Sequence, residues 1–376
     1  IGSGGREHAI VRELEKSSKT TAIYVSPGRE AFCSEKTKIA HLPGVEQVEE
    51  FCKAKQIDFV VIGPEQPLVD GWSDRLRRAG VLVVGPGADG ARLEGSKVYS
   101  KEFMKKYNIP TASFEVVQSV AEVEAVVDQF SPPYVLKADG LAAGKGVSIN
   151  KTKEELFISA KELFEDKKFG EAGSSAVLEQ FQPGWELSYI GLTNGKTFSA
   201  LPISQDHKRL QDGDEGPNTG GMGVAGPLNI SSDLKLKIES EIVQRTLVGL
   251  KSESIDYLGV LYIGLMITES GPRVIEYNVR FGDPETQIIL PLTETDWGET
   301  FFSLAKGKLG ELKQRSGAAC CVVLASSGYP ATAAKNVEMP VVENLSAINI
   351  YCTQALKIEE DEMVDRWWAC SKCSWP

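Results

Sequence analysis

Tyr134-Val-Leu-Lys137-Ala-Asp-Gly140-Leu-Ala-Ala-Gly144-Lys145-Gly146-Val147 sets a lysine at the end of a short apolar, β-rich run. Three glycines, a second lysine and another β-rich run, Val147-Ser-Ile, follow it. A Walker A loop needs four residues between its first glycine and Gly-Lys, then Ser or Thr and a helix. Here three residues separate Gly140 from Gly144-Lys145, and Gly146 leads into a strand. Strand, glycine loop and strand instead match the kinase way of holding ATP, with backbone amides over the phosphates and a lysine beside them. Gly140, Gly144, Lys145, Gly146 and Lys137 are therefore expected to bind ATP, and the loop to be a mobile lid edge; the plain alternative is a β-hairpin with solvated lysines.

On either side of this stretch, short β-rich runs recur at Phe59–Ile62, Val81–Val84, Ala176–Glu179, Gly259–Thr268 and Arg273–Val279. Helical spacing of apolar residues covers Glu46–Lys55, Gly71–Ala79, Lys101–Lys106, Ala121–Phe130, Lys153–Phe164 and Asp233–Leu250. The first third alternates strand and helix, which predicts a parallel α/β sheet. Tyr134–Ile203 suits a smaller α+β unit, and a strand-rich piece begins near Ala318. Ile358–Pro376 shows no completed period and no evident strand partner, so it is expected to lie outside the folded core.

The balance of 41 Lys plus Arg against 52 Asp plus Glu gives a formal charge of −11, which opposes attraction to phosphate backbones and anionic lipid. Neither nucleic acid nor membrane is an expected partner, since no apolar run approaches the roughly 20 residues that span a bilayer. Seven dispersed cysteines in 376 residues form no disulfide framework, which fits a reducing, cytoplasmic setting.

Four further stretches carry chemistry. Gly2-Ser-Gly4-Gly5-Arg6-Glu7-His8 reads as a strand exit opening a helix, whose free N–H groups suit a phosphate. It is not the dinucleotide fingerprint, because Glu7 stands where the third glycine belongs, and a ligand-free tight turn is the alternative. Gly63-Pro64-Glu65 follows a strand where open α/β sheets place their crevice. Glu179 and Glu186 flank a hinge between two strands; Glu186 is the better ribose ligand, and Glu179 is equally readable as a solvated strand end. Glu276, Asn278 and Arg280 stand at i, i+2 and i+4 and so share a strand face. Their oxygens suit Mg2+, which takes few protein ligands beside nucleotide phosphates, and Arg280 suits a phosphoryl group in transfer. Asp206-His207-Lys208 and the glycine-rich stretch Gly216–Gly223 read as a polar cluster and a mobile loop beside the same sheet. A zinc site at the single Cys370-x-x-Cys373 is not expected.

Taken in order, Gly4-Gly5-Arg6-Glu7-His8, Gly63-Pro64-Glu65, Leu93-Glu94-Gly95-Ser96-Lys97, Lys137–Gly146, Gln205–Arg209, Gly216–Gly223 and Asn278–Glu285 resemble phosphoribosylamine–glycine ligases of the ATP-grasp superfamily. The likeness runs from Ile1 to about Tyr329. It implies an α/β chain with an N-terminal parallel domain over 1–96, an ATP-grasp domain over 97–314 with an α+β lid at about 112–182, and an incomplete β-rich C-terminal domain with a divergent tail over 315–376. It also implies that ATP phosphorylates glycine and that 5-phosphoribosylamine attacks the glycyl phosphate, with Mg2+ or Mn2+ present. The resemblance places Gly4, Gly5, Arg6, Glu7, Gly63, Pro64 and Glu65 at phosphoribosylamine. It adds Asp206, His207, Lys208, Asn218, Thr219, Gly220, Gly221, Asp283, Pro284 and Glu285 as substrate contacts. Lys97, Lys137, Gly140, Gly144, Lys145, Gly146, Glu179 and Glu186 would hold ATP, Glu276 and Asn278 the metal, and Arg280 and Asp283 the reacting groups. Animal members of the family sit in larger multifunctional polypeptides, so this chain is expected to occur in one.

Overall fold

A computed structural model describes residues 1–141, 146–167 and 173–334, with the backbone of strands at 348–352, 357–359, 362–364 and 367–371. Gly144 and Lys145 lie outside the described residues.

At the N-terminus two parallel pairs form, Ile23–Val25 with Thr37–Ile39 and Val60–Val61 with Val83–Val84. Ile1 and Gly2 join them: Gly2 N–H donates to Ser26 O (2.7 Å) and Gly63 N–H to Ile1 O (3.0 Å). The strand exit then opens the helix Gly5–Lys16, whose Ala9, Ile10 and Leu14 pack in one core with Trp297 and Phe301.

Beside this layer lies an antiparallel sheet in the order Phe198–Ala200, Trp185–Thr193, Gly259–Thr268, Gly271–Asn278. Gly259–Leu265 is buried at every position, as a strand covered on both faces must be, and this accounts for its unbroken apolar run. Over the sheet stands a second antiparallel sheet, Phe114–Val117, Ala176–Gln180, Tyr134–Ala138 and Val147–Asn150. Helices Val120–Val126 and Lys153–Phe164 cover it, capped by the Ser119 and Thr152 hydroxyls, and Val123, Leu156 and Leu178 share its core.

The helical pattern at Asp233–Leu250 continues through a π segment, Ile238–Val243. Ile238, Ile242, Val243 and Leu247 are all buried there, and the wider turn keeps residues five apart on the core side.

Gly216–Gly223 corrects the expected loop. It belongs to a twelve-residue strand, Glu215–Gly226, that pairs with Gln205–Gln211 on one side and Ala319–Leu324 on the other. The glycines serve close packing: a Cβ on Gly223 would meet Cys321 O at 2.8 Å, and one on Gly221 (φ +119°) would meet Pro284 Cδ at 2.7 Å. The same sheet continues through Trp367–Ser371 to Ile348–Cys352. Trp367–Ser371, for which the sequence offered no strand partner, thus has two.

Candidate active site

Both sheets and the N-terminal layer border one cleft of about 380 Å³. On its lid side, Lys137 ends a fully buried strand because its ammonium meets Glu179, Nζ to Oε1 3.0 Å. Lys101, from the helix Lys97–Lys106, holds the other oxygen at 2.9 Å and donates to Thr111 Oγ1 at 2.7 Å. Burial would raise the Glu179 carboxyl, but Lys137 and Lys101 hold it below its ordinary range, so it is a buried ion-pair centre and not a solvated strand end. Burial lowers Lys101 to about 8 against the pull of Glu179. Lys97 Nζ donates to Gly140 O (3.3 Å), and Asp139 accepts from Val98 N–H (3.1 Å) at the start of the same helix. Gly140, Gly146 and the hinge residues Gln180, Phe181 and Gln182 complete this wall.

Opposite stands a charged floor. Lys208 Nζ lies 3.2 Å from Glu186, 3.8 Å from Asp206 and 4.0 Å from Glu276. Burial would lower that ammonium, but the carboxylates raise it. Glu276, Asn278 and Arg280 all reach the cleft, and Arg280 Nη2 donates to Asn278 Oδ1 (3.1 Å). Burial would raise Glu276, yet Lys208, Lys97, Lys137 and Arg280 keep it low and ionised. Among the described residues no three His, Cys, Asp or Glu side chains gather as a metal cage. One ionised carboxylate and one amide oxygen beside a lysine-lined wall nevertheless fit Mg2+, which takes few protein ligands and completes its shell with phosphates and water.

Arg280 anchors the far end. It pairs with Glu94 (2.8 Å) and Glu65 (3.3 Å), while Glu94 also accepts from Val279 N–H (2.8 Å). Asp283 accepts from Arg6 N–H (3.3 Å) and from Gln287 Nε2 (2.6 Å), which ties the glycine turn to the cleft. Within that turn Glu7 accepts from Gly4 N–H and Arg6 Nε, both at 2.6 Å, and Arg6 Nη1 donates to Phe281 O (3.0 Å). The Glu7 carboxylate therefore fills the helix N-terminus itself, and Gly63 lies so close that a Cβ there would come within 2.2 Å of it. Gly5 begins that helix, and Pro64 precedes the helix Glu65–Val69.

Asn218, Thr219 and Gly220 line the cleft from the glycine-rich strand, Thr219 Oγ1 donating to Lys208 O (2.8 Å). Gly221 and Pro284 pack on each other behind it. His207 is exposed, while Asp206 is buried beside it; strand alternation turns His207 away, and it does not line the cleft. Sequence reasoning singled out neither Lys101 nor the polar pair Ser188 and Tyr262. Lys101 follows Lys97 by one helical turn, a signal for a shared face; Ser188 and Tyr262 sit in apolar strands that read as core.

Family models match along the chain. The phosphoribosylglycinamide synthetase N domain matches residues 1–94, and the ATP-grasp (A) domain of the same synthetase matches residues 95–286. The phosphoribosylamine–glycine ligase of Halalkalibacterium halodurans is 42% identical over 366 residues, covering 97% of this chain and 86% of that protein. The human trifunctional purine biosynthetic protein adenosine-3 is 43% identical over 358 residues, 93% of this chain but 35% of that longer protein. The crystal structure of phosphoribosylamine–glycine ligase from Thermotoga maritima superposes with a TM-score of 0.86 at 38% identity, covering 98% of this chain and 90% of that one. By its matched models, its relatives and its fold, the chain belongs to the phosphoribosylglycinamide synthetase family.

Proposed function

We propose that the cleft ligates glycine to 5-phosphoribosylamine at the expense of ATP, through glycyl phosphate, and yields glycinamide ribonucleotide, ADP and phosphate. The observation that carries the reading is one continuous surface. Lys97 and Lys137, the ionised Glu276 with Asn278, and the buried Arg280 line it together, and Asp283 on the same surface accepts from Arg6 N–H of the glycine turn.

In this reading Lys137 and Lys97 neutralise the ATP phosphates, Gly140 and Gly146 approach them with backbone, and Glu186 accepts from the ribose hydroxyls. Glu276 and Asn278 would hold Mg2+ or Mn2+, which supplies charge neutralisation between adjacent phosphates. Arg280, fixed in place by Glu94 and Glu65, offsets the negative charge that develops as the glycine carboxylate takes up the phosphoryl group. Asp283 and the turn Gly4–Arg6 place phosphoribosylamine against the resulting acyl phosphate, a compound that survives only where water is excluded.

The test is an ADP-release assay in which glycine and phosphoribosylamine are omitted in turn. Sustained turnover is expected only with both. Robust turnover with another amino acid and none with glycine would overturn the reading.

A further inference from the structure

At the floor of the cleft four polar side chains close on one another. Tyr262 O–H donates to Glu285 Oε1 (2.7 Å), and Ser188 Oγ lies 2.9 Å from Tyr262 Oη, 3.1 Å from Glu285 Oε1 and 3.5 Å from Asp206 Oδ1. Ser188, Tyr262, Glu285 and Asp206 are each nine-tenths or more buried, yet Asp206, Tyr262 and Glu285 all border the cleft. Two hydroxyl protons serve two carboxylates, and Ser188 has one to give. Lys208 stands 3.8 Å from Asp206, whereas no cation among the described residues lies within ion-pair distance of Glu285.

Joining an amine to an acyl phosphate liberates one proton, which needs an acceptor inside the closed site. We propose that Glu285, backed by Asp206 and oriented by Ser188 and Tyr262, is the proton acceptor of the amide-forming step. The inference rests on the ligase reading above. As the amine nitrogen attacks, its lone pair forms the N–C bond and the carbonyl C–O bond to phosphate breaks with its electron pair on the phosphate oxygen. The N–H proton passes to the Glu285 carboxylate and later to solvent.

Burial and then Asp206 push Glu285 up to about 7, while Tyr262 and Lys208 pull it down. The charged and titratable groups facing it are Asp206 and Lys208 from one strand, Tyr262 from the central sheet and Arg280 from the chain just before it. A raised carboxyl is protonated below its pKa, so the acceptor form grows as pH rises through about 7 and ligation should rise with it.

The experiment separates the two chemical steps. Hydroxylamine, an amine that needs no base at neutral pH, traps glycyl phosphate as glycyl hydroxamate without phosphoribosylamine. In Glu285→Gln, ligation should fall about 100-fold or more and lose its pH limb near 7, a loss at least about tenfold larger than any loss of hydroxamate formation. Tyr262→Phe keeps the ring packing and removes the bond that lowers Glu285, so its limb should move to higher pH. Hydroxamate and ligation falling together, with a raised KM for glycine, would overturn the proposal and make the pair an ammonium subsite. A pH limb unmoved in both variants would overturn it as well. An unaltered protein that yields no glycine-dependent hydroxamate would contradict the ligase reading itself.

Discussion

Glu276 shows how much of the site one residue can decide. Its carboxylate is ionised because four cations outweigh its burial, and it offers a hard oxygen across the cleft from Lys97 and Lys137. Glu276→Ala is expected to cut turnover by about 100-fold or more while nucleotide still binds, more weakly, through the hinge and lysines. Kinetics paired with ADP titration check this; near-normal turnover at low Mg2+ would count against the metal role. His8 illustrates a different residue-level effect. Its ring stacks on Phe32 with centroids 4.5 Å apart, and Arg12 Nε–H donates to its Nε2 (3.2 Å), which must be unprotonated to accept. Burial and then Arg12 lower it to about 3, so between there and pH 6.5 the unfolded chain binds a proton that the folded chain refuses. Its contribution is therefore full above about pH 6.5 and lost as pH falls, by up to roughly 5 kcal/mol near pH 3. His8→Phe should flatten that acid limb in urea titrations run from pH 7 to 4; an unchanged slope would exclude this origin. Glu276 and Asn278 were readable as neighbours because strand alternation puts them on one face, whereas Arg280 lies two residues past the strand's end at Asn278 and reaches the same cleft from there. Glu94 as the partner of Arg280, and Lys101 as the partner of Glu179, were not readable, because contacts across 186 and 78 residues leave no local pattern.

At the scale of elements, Lys153–Phe164 and Gly259–Thr268 have the bounds their patterns suggested, since a capping threonine and an unbroken buried run are local signals. The glycine-rich stretch misled for the opposite reason. Its glycines are set by what packs against them, Cys321 O and Pro284, and neither neighbour is visible in the stretch itself. Gly221→Ala is therefore expected to destabilise by about 1–3 kcal/mol, from the positive φ and the Pro284 contact together, and to impair turnover as the 283–285 turn shifts. Urea midpoints and steady-state rates test this; a neutral Gly221→Ala would favour the original reading of a free loop.

Across the whole molecule, the N-terminal layer and the cleft are held in register by Arg280, whose guanidinium joins Glu65 on one side to Glu94 on the other, and by Arg6, which reaches Phe281 and Asp283. Burial already raises Glu94, and Arg280 opposes that rise. Arg280→Met would leave Glu94 buried without its cation, so a stability loss of about 3–5 kcal/mol is expected along with the loss of turnover. Adding Glu94→Gln should restore stability but not activity, whereas a double variant no more stable than the single one would show that the pair is not the cause. The parallel pairing of Val60–Val61 with Val83–Val84 was legible from the alternation of strand and helix in the first third, whereas the pair Ile23–Val25 with Thr37–Ile39 and the antiparallel order of the two larger sheets were not read from it. The five-stranded sheet that includes Trp367–Ser371 was not, because its neighbours are distant in sequence. Ligation of glycine to phosphoribosylamine through an acyl phosphate leaves an isotopic signature in the phosphate released. With glycine carrying 18O in its carboxylate, each turnover should deliver one labelled oxygen to inorganic phosphate, because the bond broken lies between the carbonyl carbon and that oxygen. Unlabelled phosphate accompanying product formation would contradict the account.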